Sequence, residues 1–448
     1  MAAVTTLRQI GKLLLFLLAT VATGSLQAAE IGPGDDLRAA IAALGPGGEL
    51  VLRGGTYTVS SGFRITVNGT QALPAVIRAK AGERPLIHQT NAGQNIIEIS
   101  GSSHLVVRGV AFTGGSHGIR LMSSNFVTIE DCEVYETGDV AISANSGGTY
   151  QGLRLLRNHI HHTNGTGEGM YLGCNSDACR VANSLIEGNY IHHTNRASVE
   201  QGDGIELKEG SYGNVIRDNV IHDTNYPGIL TYSTVGNGPA NVIEGNVIWN
   251  TNDNSIQVAA DAIIRNNIVL GSPVAFQSHQ SGSPSNIQFL HNTVVTDGAA
   301  VNVRNVTGSV VIANNAVYAA SGAAINLISG NTSLVTLAGN VGSGGLVGAS
   351  GGYVNGNGVA ADFVDAHFNG VPPINLFPRT GSALIGAAAA AHATAIDFNG
   401  TSRTGSADVG AYRYAASGNP GWQITTSFKT VTGSVAPPNP PTNVRVAD

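Results

Sequence analysis

The sequence predicts an all-β protein wound as a parallel β-helix, with a short helix capping its amino-terminal end. Three observations carry that expectation. The 448 residues include 59 Gly, only 12% charged and 6% aromatic residues, and almost no long amphipathic helical pattern, a profile of many turns and short strands. The phrases "RNHI", "GNYI", "DNVI", "GNVI", "NNIV", "HNTV" and "NNAV" recur, placing Asn at 158, 189, 219, 246, 267, 292 and 315. Their spacings of 31, 30, 27, 21, 25 and 23 residues are too irregular for helical repeats of fixed size, and suit coils that share strands but differ in their loops.

Taken from the amino terminus, residues 1–29 read as a secretion signal. Arg8 and Lys12 precede the apolar run "LLLFLLATVA", and "LQAAE" offers a cleavage point near Ala28 or Ala29. Without those two cations, 21 basic residues face 29 acidic ones, a net charge of −8, which disfavours a nucleic-acid partner. After signal removal no membrane association is expected, and a secreted or periplasmic monomer is. "GDDLRAAIAALGPGGELVLRGGTYTV" gives the capping helix and a first coil. The β-helix domain is expected over 30–415, fading into Gly- and Ala-rich coils after about residue 335. Residues 416–448, ending "APPNPPTNVRVAD", read as a Pro-rich tail or linker.

Each repeated Asn is expected to take the left-handed turn position and to stack its amide coil on coil; Val110 and Cys132 occupy the same slot earlier. Cys174 and Cys179 in "GCNSDACR" can close a small disulfide loop, and Cys132 is expected as a buried free thiol. The columns His161–His192–His222–Trp249 and His162–His193–Asp223–Asn250 read as stacking at a strand end rather than as a metal site.

A further strand follows in every coil: "GIRLM", "AISAN", "GMYLG", "GIELK", "GILTY", "SIQVA", "AFQSH" and "AVNVR". Alternation turns Ile205 and Leu207 inward and Glu206 and Lys208 outward. One outward column then reads Arg120, Ser143, Tyr171, Glu206, Leu230, Gln257, Gln277, Asn302. The other reads Met122, Asn145, Gly173, Lys208, Tyr232, Ala259, His279, Arg304. Glu168 and Asp203 stack just before this strand, and the long loops "TNGTGEG", "LGCNSDACRV" and "TNRASVEQGDG" are expected to wall a cleft.

That set suits β-elimination on a uronic-acid polymer. Packed loops are expected to lower the pKa of Lys208 enough for it to act as base, with Tyr232 as acid or as an alternative base. Tyr171, His279, Arg304 and His193 are candidate substrate-binding residues. Glu168, Asp203 and Glu206, with Glu200 as a further possibility, form a candidate Ca²⁺ site of hard oxygens; the alternative is surface carboxylates pairing with Lys208.

At "DGIELKEGSYGNVIRDN" the sequence resembles the right-handed parallel β-helix polysaccharide lyases, namely the chondroitinase B and alginate lyase group and the lysine-dependent pectate lyases. Lys208 followed by Asn214 and Asn219 carries the likeness; where the first group has an Arg on the next coil, this chain has Tyr232. The opening "GGELVLRGGTY…LPAVIRAKAGERPLI" and the closing "IDFNGTSRTGSADVGAYRY" are similar to secreted β-helix proteins. The resemblance implies a right-handed helix, a Lys base, often Ca²⁺, and an anionic polysaccharide such as alginate, pectate or a glycosaminoglycan. Competing functions are a uronate C5-epimerase, a glycoside hydrolase, or a noncatalytic carbohydrate-binding protein. Asp203 and Glu206, close together on one strand, fit the carboxylate pair of a hydrolase poorly.

Overall fold

The computed structural model describes residues 28–368 and 370–430. Residues 1–27, on which the expected signal falls, and residues 431–448 of the expected tail lie outside the described residues. Each coil contributes one strand to each of three parallel sheets. The first has 13 strands, from Ala29–Ile31 to Val335–Ala338; the second 13, from Gly55–Val59 to Tyr353–Asn355; the third 12, from Arg64–Ile65 to Leu346–Val347. Strands pair in register along the axis, so inward residues form apolar columns. In the first sheet these are Ile129, Leu155, Ile186, Ile216, Ile243 and Ile264, all inaccessible to solvent or nearly so. Burying each such side chain contributes about 1.5–3 kcal/mol. The expected cap is the helix Leu37–Ala42. Asp36 accepts from the Ala39 amide, and Leu37 and Ile41 close the exposed end of the core.

The Asn column forms a continuous amide ladder between the first and second sheets. The Asn189 backbone N and Nδ2 both donate to Asn219 Oδ1, at 2.9 and 2.8 Å, while Nδ2 also donates to Leu155 O at 2.9 Å. The pattern runs from Asn158 to Asn340, one rung beyond the sequence-based column. The turn differs from expectation. The left-handed residue is the one before each ladder Asn: Arg157, Gly188, Asp218, Gly245, Asn266, His291, Asn314 and Gly339 have positive φ, and the ladder Asn do not. The amide can point into the coil only if the preceding residue makes the turn.

Cys174 and Cys179 are disulfide-bonded, and the Cys132 thiol is buried, its pKa pushed up to about 12 by that burial. The histidine columns stack as expected: the His161–His192, His192–His222 and His222–Trp249 rings lie 5.1, 5.1 and 4.4 Å apart.

The carboxyl-terminal expectation needs correction. After Asn355 the chain leaves the coil path and folds back over the outer face of the second sheet. Phe363, Leu376, Phe377, Tyr412 and Trp422 pack there against Val220, Val247, Trp249, Leu270 and Tyr318 in a second hydrophobic core. The closing motif is the knot that shapes this cover: the buried Arg403 guanidinium donates to the carbonyls of Gly410 and Ala411 at 2.7 and 2.9 Å. Residues 416–430 are docked, not a free linker. Lys429 is buried, and its Nζ donates to Asp218 Oδ1, Gly245 O and Phe398 O at 2.6, 2.9 and 3.0 Å.

Candidate active site

The outer face of the third sheet holds the candidate site, on the strands Met170–Leu172, Ile205–Leu207 and Ile229–Thr231 and the residues just after them. Register places Tyr171 beside Glu206 and Leu207 beside Thr231, so Lys208 and Tyr232 follow as neighbours. Lys208 Nζ contacts Glu206 Oε1 and donates to Tyr232 Oη at 3.2 Å, lying 4.5 Å from the centre of the Tyr171 ring. Tyr232 Oη donates to Glu206 Oε1 at 2.9 Å and meets His279 Nε2 at 2.9 Å. Glycine at 173 makes the space. Its φ is +97°, and a Cβ there would lie 3.0 Å from the Lys208 Cβ.

These side chains point outward from the coil but are covered by loops: Lys208 is 5% and Glu206 2% exposed. One cover is the disulfide loop at 174–179, the other the turn at 278–283. Glu209 ties the two together, accepting from the Ser176 and Ser281 amides. Beside it lies a cavity of about 680 Å³ lined by Asn175, Asp177, Glu209, Val235 and Gln280.

The protonation of Lys208 differs from expectation. Burial alone pulls its pKa down, but the Glu206 carboxylate and the Tyr171 oxygen outweigh that and hold it above the ordinary lysine value. Burial and the Glu206 charge likewise push the Tyr232 phenol well up. Both shifts favour an ammonium at Lys208 and a neutral phenol at Tyr232.

Glu206 also belongs to a second group, the three buried acids Glu168, Asp203 and Glu206, each offering an oxygen within 4.8 Å of the others. Glu168 Oε1, both Asp203 carboxylate oxygens and Glu206 Oε2 have no hydrogen-bond partner. Burial, then the charge of Glu206, raises the Glu168 carboxyl to about 7, and burial with both neighbouring acids holds Asp203 well above the usual range. Hard, partly unpartnered oxygens converging on one point fit a Ca²⁺ ion. Glu200 is exposed and outside this group.

Seven of the nine sequence-predicted site residues thus come together: Lys208, Tyr232, Tyr171, His279, Glu168, Asp203 and Glu206. His279 arrives by another route than expected. Phe276 pairs with Val303 and Ala275 with Asn302, so Ala275 and Gln277, not Gln277 and His279, fill the two outward columns. His279 instead reaches Tyr232 from the 278–283 turn. Arg304 is exposed and stands three coils beyond Tyr232, roughly 14 Å along the axis. His193 belongs to the second sheet, where it stacks at 4.7 Å on His162 and lies 3.8 Å from Asp223; it makes no contact with the cluster. Sequence reasoning missed Asp139, whose Oδ1 shares the Thr166 hydroxyl with Glu168 at 2.6 and 2.7 Å. The acid in "TGDVAIS", at a strand entry like Glu168 and Asp203, was its signal. It also missed Glu209, which nothing local marks.

Comparison with known proteins points to the same fold. Pectate lyase L of Paenibacillus polymyxa (strain SC2) is 27% identical over 287 residues, 58% of this chain and 59% of that protein's length. The crystal structure of pectate lyase Pel9A superposes with a TM-score of 0.51 at 15% identity, covering 87% of this chain and 96% of that one. That of XylC with xylose gives 0.57 at 9% identity, covering 85% and 95%; both likenesses concern the fold alone. Residues 19–238, just under half of the chain and including Lys208 and Tyr232, match the family described as "Pel9A-like, right handed beta helix region", and the fold of the chain is a right-handed parallel β-helix.

Proposed function

We propose that the chain is a secreted polysaccharide lyase that cleaves a uronic-acid-containing polymer by β-elimination. The observation that supports this most is the Lys208–Glu206–Tyr232 network set against four unpartnered oxygens of three buried acids. Likeness to a pectate lyase makes pectate the first polymer to test.

Glu168, Asp203 and Glu206 would hold the cation. A bound Ca²⁺ would supply the charge that lets these acids ionise together and that favours a uronate carboxylate beside them. With Glu206 engaged there, its hold on the Lys208 ammonium would weaken, and burial would favour the neutral amine that serves as base. Lys208 Nζ takes the C5 proton, the C4–C5 double bond forms as the C4–O4 bond breaks, and the Tyr232 phenol protonates O4. The 3.2 Å contact between Lys208 and Tyr232 then returns the captured proton to the phenolate, resetting the pair. Tyr171 walls the lysine, and His279 holds the Tyr232 oxygen. Access of a polymer to Lys208 would require the 278–283 turn, pinned through Glu209, to lift away.

The test is turnover of pectate, alginate, glucuronan and glycosaminoglycans by the purified chain, followed by unsaturated-uronate absorbance. Lys208→Ala is expected to lower elimination by about 10²-fold or more with the fold retained, and thorough chelation to lower it in the wild type. Changed polymer composition without absorbance would identify an epimerase; reducing ends without the chromophore would identify a hydrolase. Wild-type turnover by a folded Lys208→Ala variant removes Lys208 from the reaction.

A further inference from the structure

The second sheet carries a separate group of side chains able to ligate a metal, on its fourth and fifth strands. Glu133 on the strand Glu133–Tyr135 stands directly opposite His159 on the strand His159–His161, and alternation turns His161 to the same face as His159. Two imidazoles spaced i, i+2 on one strand, with a carboxylate across from the first, form a three-point set on a rigid sheet surface. Glu133 Oε1 lies 3.2 Å from His161 Nε2 and 3.5 Å from His159 Nδ1, and the three donor atoms all lie within 4.8 Å of one another. Ligand atoms about 2.0–2.2 Å from a tetrahedral Zn²⁺ stand roughly 3.3 Å apart, so two of the spacings already match.

The atoms behind these donors are also in place. The remote nitrogen of His161, Nδ1, meets His162 Nδ1 at 2.7 Å, and that of His159, Nε2, meets His192 Nε2 at 2.9 Å. Each contact can fix the ring's tautomer, as the outer partners of metal-bound histidines do. Glu133 uses its other oxygen, Oε2, to pair with Arg84, leaving Oε1 turned to the imidazoles. His159 is further held by Tyr190, whose ring stacks on it at 5.1 Å. Glu133 and His159 border a cavity of about 350 Å³, also lined by Arg84, Arg157 and Phe428.

We propose that Glu133, His159 and His161 form a binding site for a borderline divalent transition metal of the Zn²⁺ type, separate from the acid cluster on the third sheet. Two imidazoles and one carboxylate suit Zn²⁺, Co²⁺ or Ni²⁺, whereas Ca²⁺ takes an all-oxygen shell. The site does not depend on the lyase reading.

The experiment uses the full chain stripped with chelator and titrated with Zn²⁺ by calorimetry, and with Co²⁺ by its visible d–d absorption. Saturable binding that survives excess Ca²⁺ and persists in Lys208→Ala is expected. His161→Gln and Glu133→Gln, checked for a wild-type melting profile without metal, are expected to weaken it about 10–100-fold, and His193→Gln to leave it within about twofold. His159→Asn replaces either triad variant that fails to fold. Absent binding, displacement by Ca²⁺, affinity unchanged in the triad variants, or an equal loss in His193→Gln would each overturn the proposal.

Discussion

Lys208 and Glu206 stand two positions apart on one strand, so alternation alone puts both on the outer face, and their meeting was legible in "GIELK". What the pair does to each other was not. Whether a covered lysine is neutral or charged depends on the balance between burial and neighbouring charge, and here the carboxylate wins. His291 shows the opposite balance. It is buried where the carboxyl-terminal cover docks, Asn314 Nδ2 lies 3.0 Å from its Nε2, and burial, with Arg403 next, lowers its pKa to about 3. Its unfolded value is about 6.5. Between these values the unfolded chain binds the extra proton, so the contribution is fully present above about pH 6.5 and drains as pH falls, by roughly 1.4 kcal/mol per unit at most. His159 and His192, lowered to about 4 and about 2 mainly by burial, act in the same direction. Thermal melts between pH 7 and 4 should show this slope, and His291→Gln should flatten it; an unchanged slope in the variant would show that His291 is not a source of acid sensitivity.

At the level of the turn and strand, the Asn ladder is the device that keeps neighbouring coils in register while their loops vary. Asn219 is fully buried. Its Nδ2 donates to Ile186 O and Asn246 Oδ1 at 3.0 and 2.9 Å, and its Oδ1 accepts from the Asn189 backbone and side chain. Asn219→Ala would strand donors and acceptors that no water reaches, at about 1–3 kcal/mol for each group left unpaired. A drop in unfolding free energy of several kcal/mol by denaturant titration is expected, against less than about 0.5 kcal/mol for an exposed Asn outside the ladder such as Asn252. A small loss at Asn219 would mean the ladder is not a major source of stability. The ladder was readable because its rungs recur in the sequence. Alternation alone puts His279 in the outward column rather than in the 278–283 turn, because two outward residues of equal parity fit the same column, and only the pairing of Phe276 with Val303 chooses between them.

At the level of the molecule, the second sheet has an apolar outer face, and the segment from 359 to 430 covers it. Val220, Val247, Trp249, Leu270 and Tyr318 would be laid bare without it, a contiguous patch of the sort that drives association. A chain ending at residue 355 should bind a hydrophobic dye and aggregate, and Lys429→Ala, which leaves Asp218 facing the cover without its cation, should lower the melting temperature by several degrees. A soluble, dye-negative truncation would show that the coils do not need this cover. No helix among the described residues is long and apolar enough to cross a membrane.

The sequence by itself determined the coil, its inward columns, the Asn ladder and the stacking of Tyr171, Glu206, Lys208 and Tyr232. Each of these follows from a short-range alternation repeated at every turn. Only the tertiary structure decided that His279 meets Tyr232 across 47 residues, that Lys429 reaches Asp218 across 211, and that Glu206 keeps Lys208 charged. Those outcomes rest on loop return and on desolvation, which depend on what packs above a residue rather than on what precedes it in the chain.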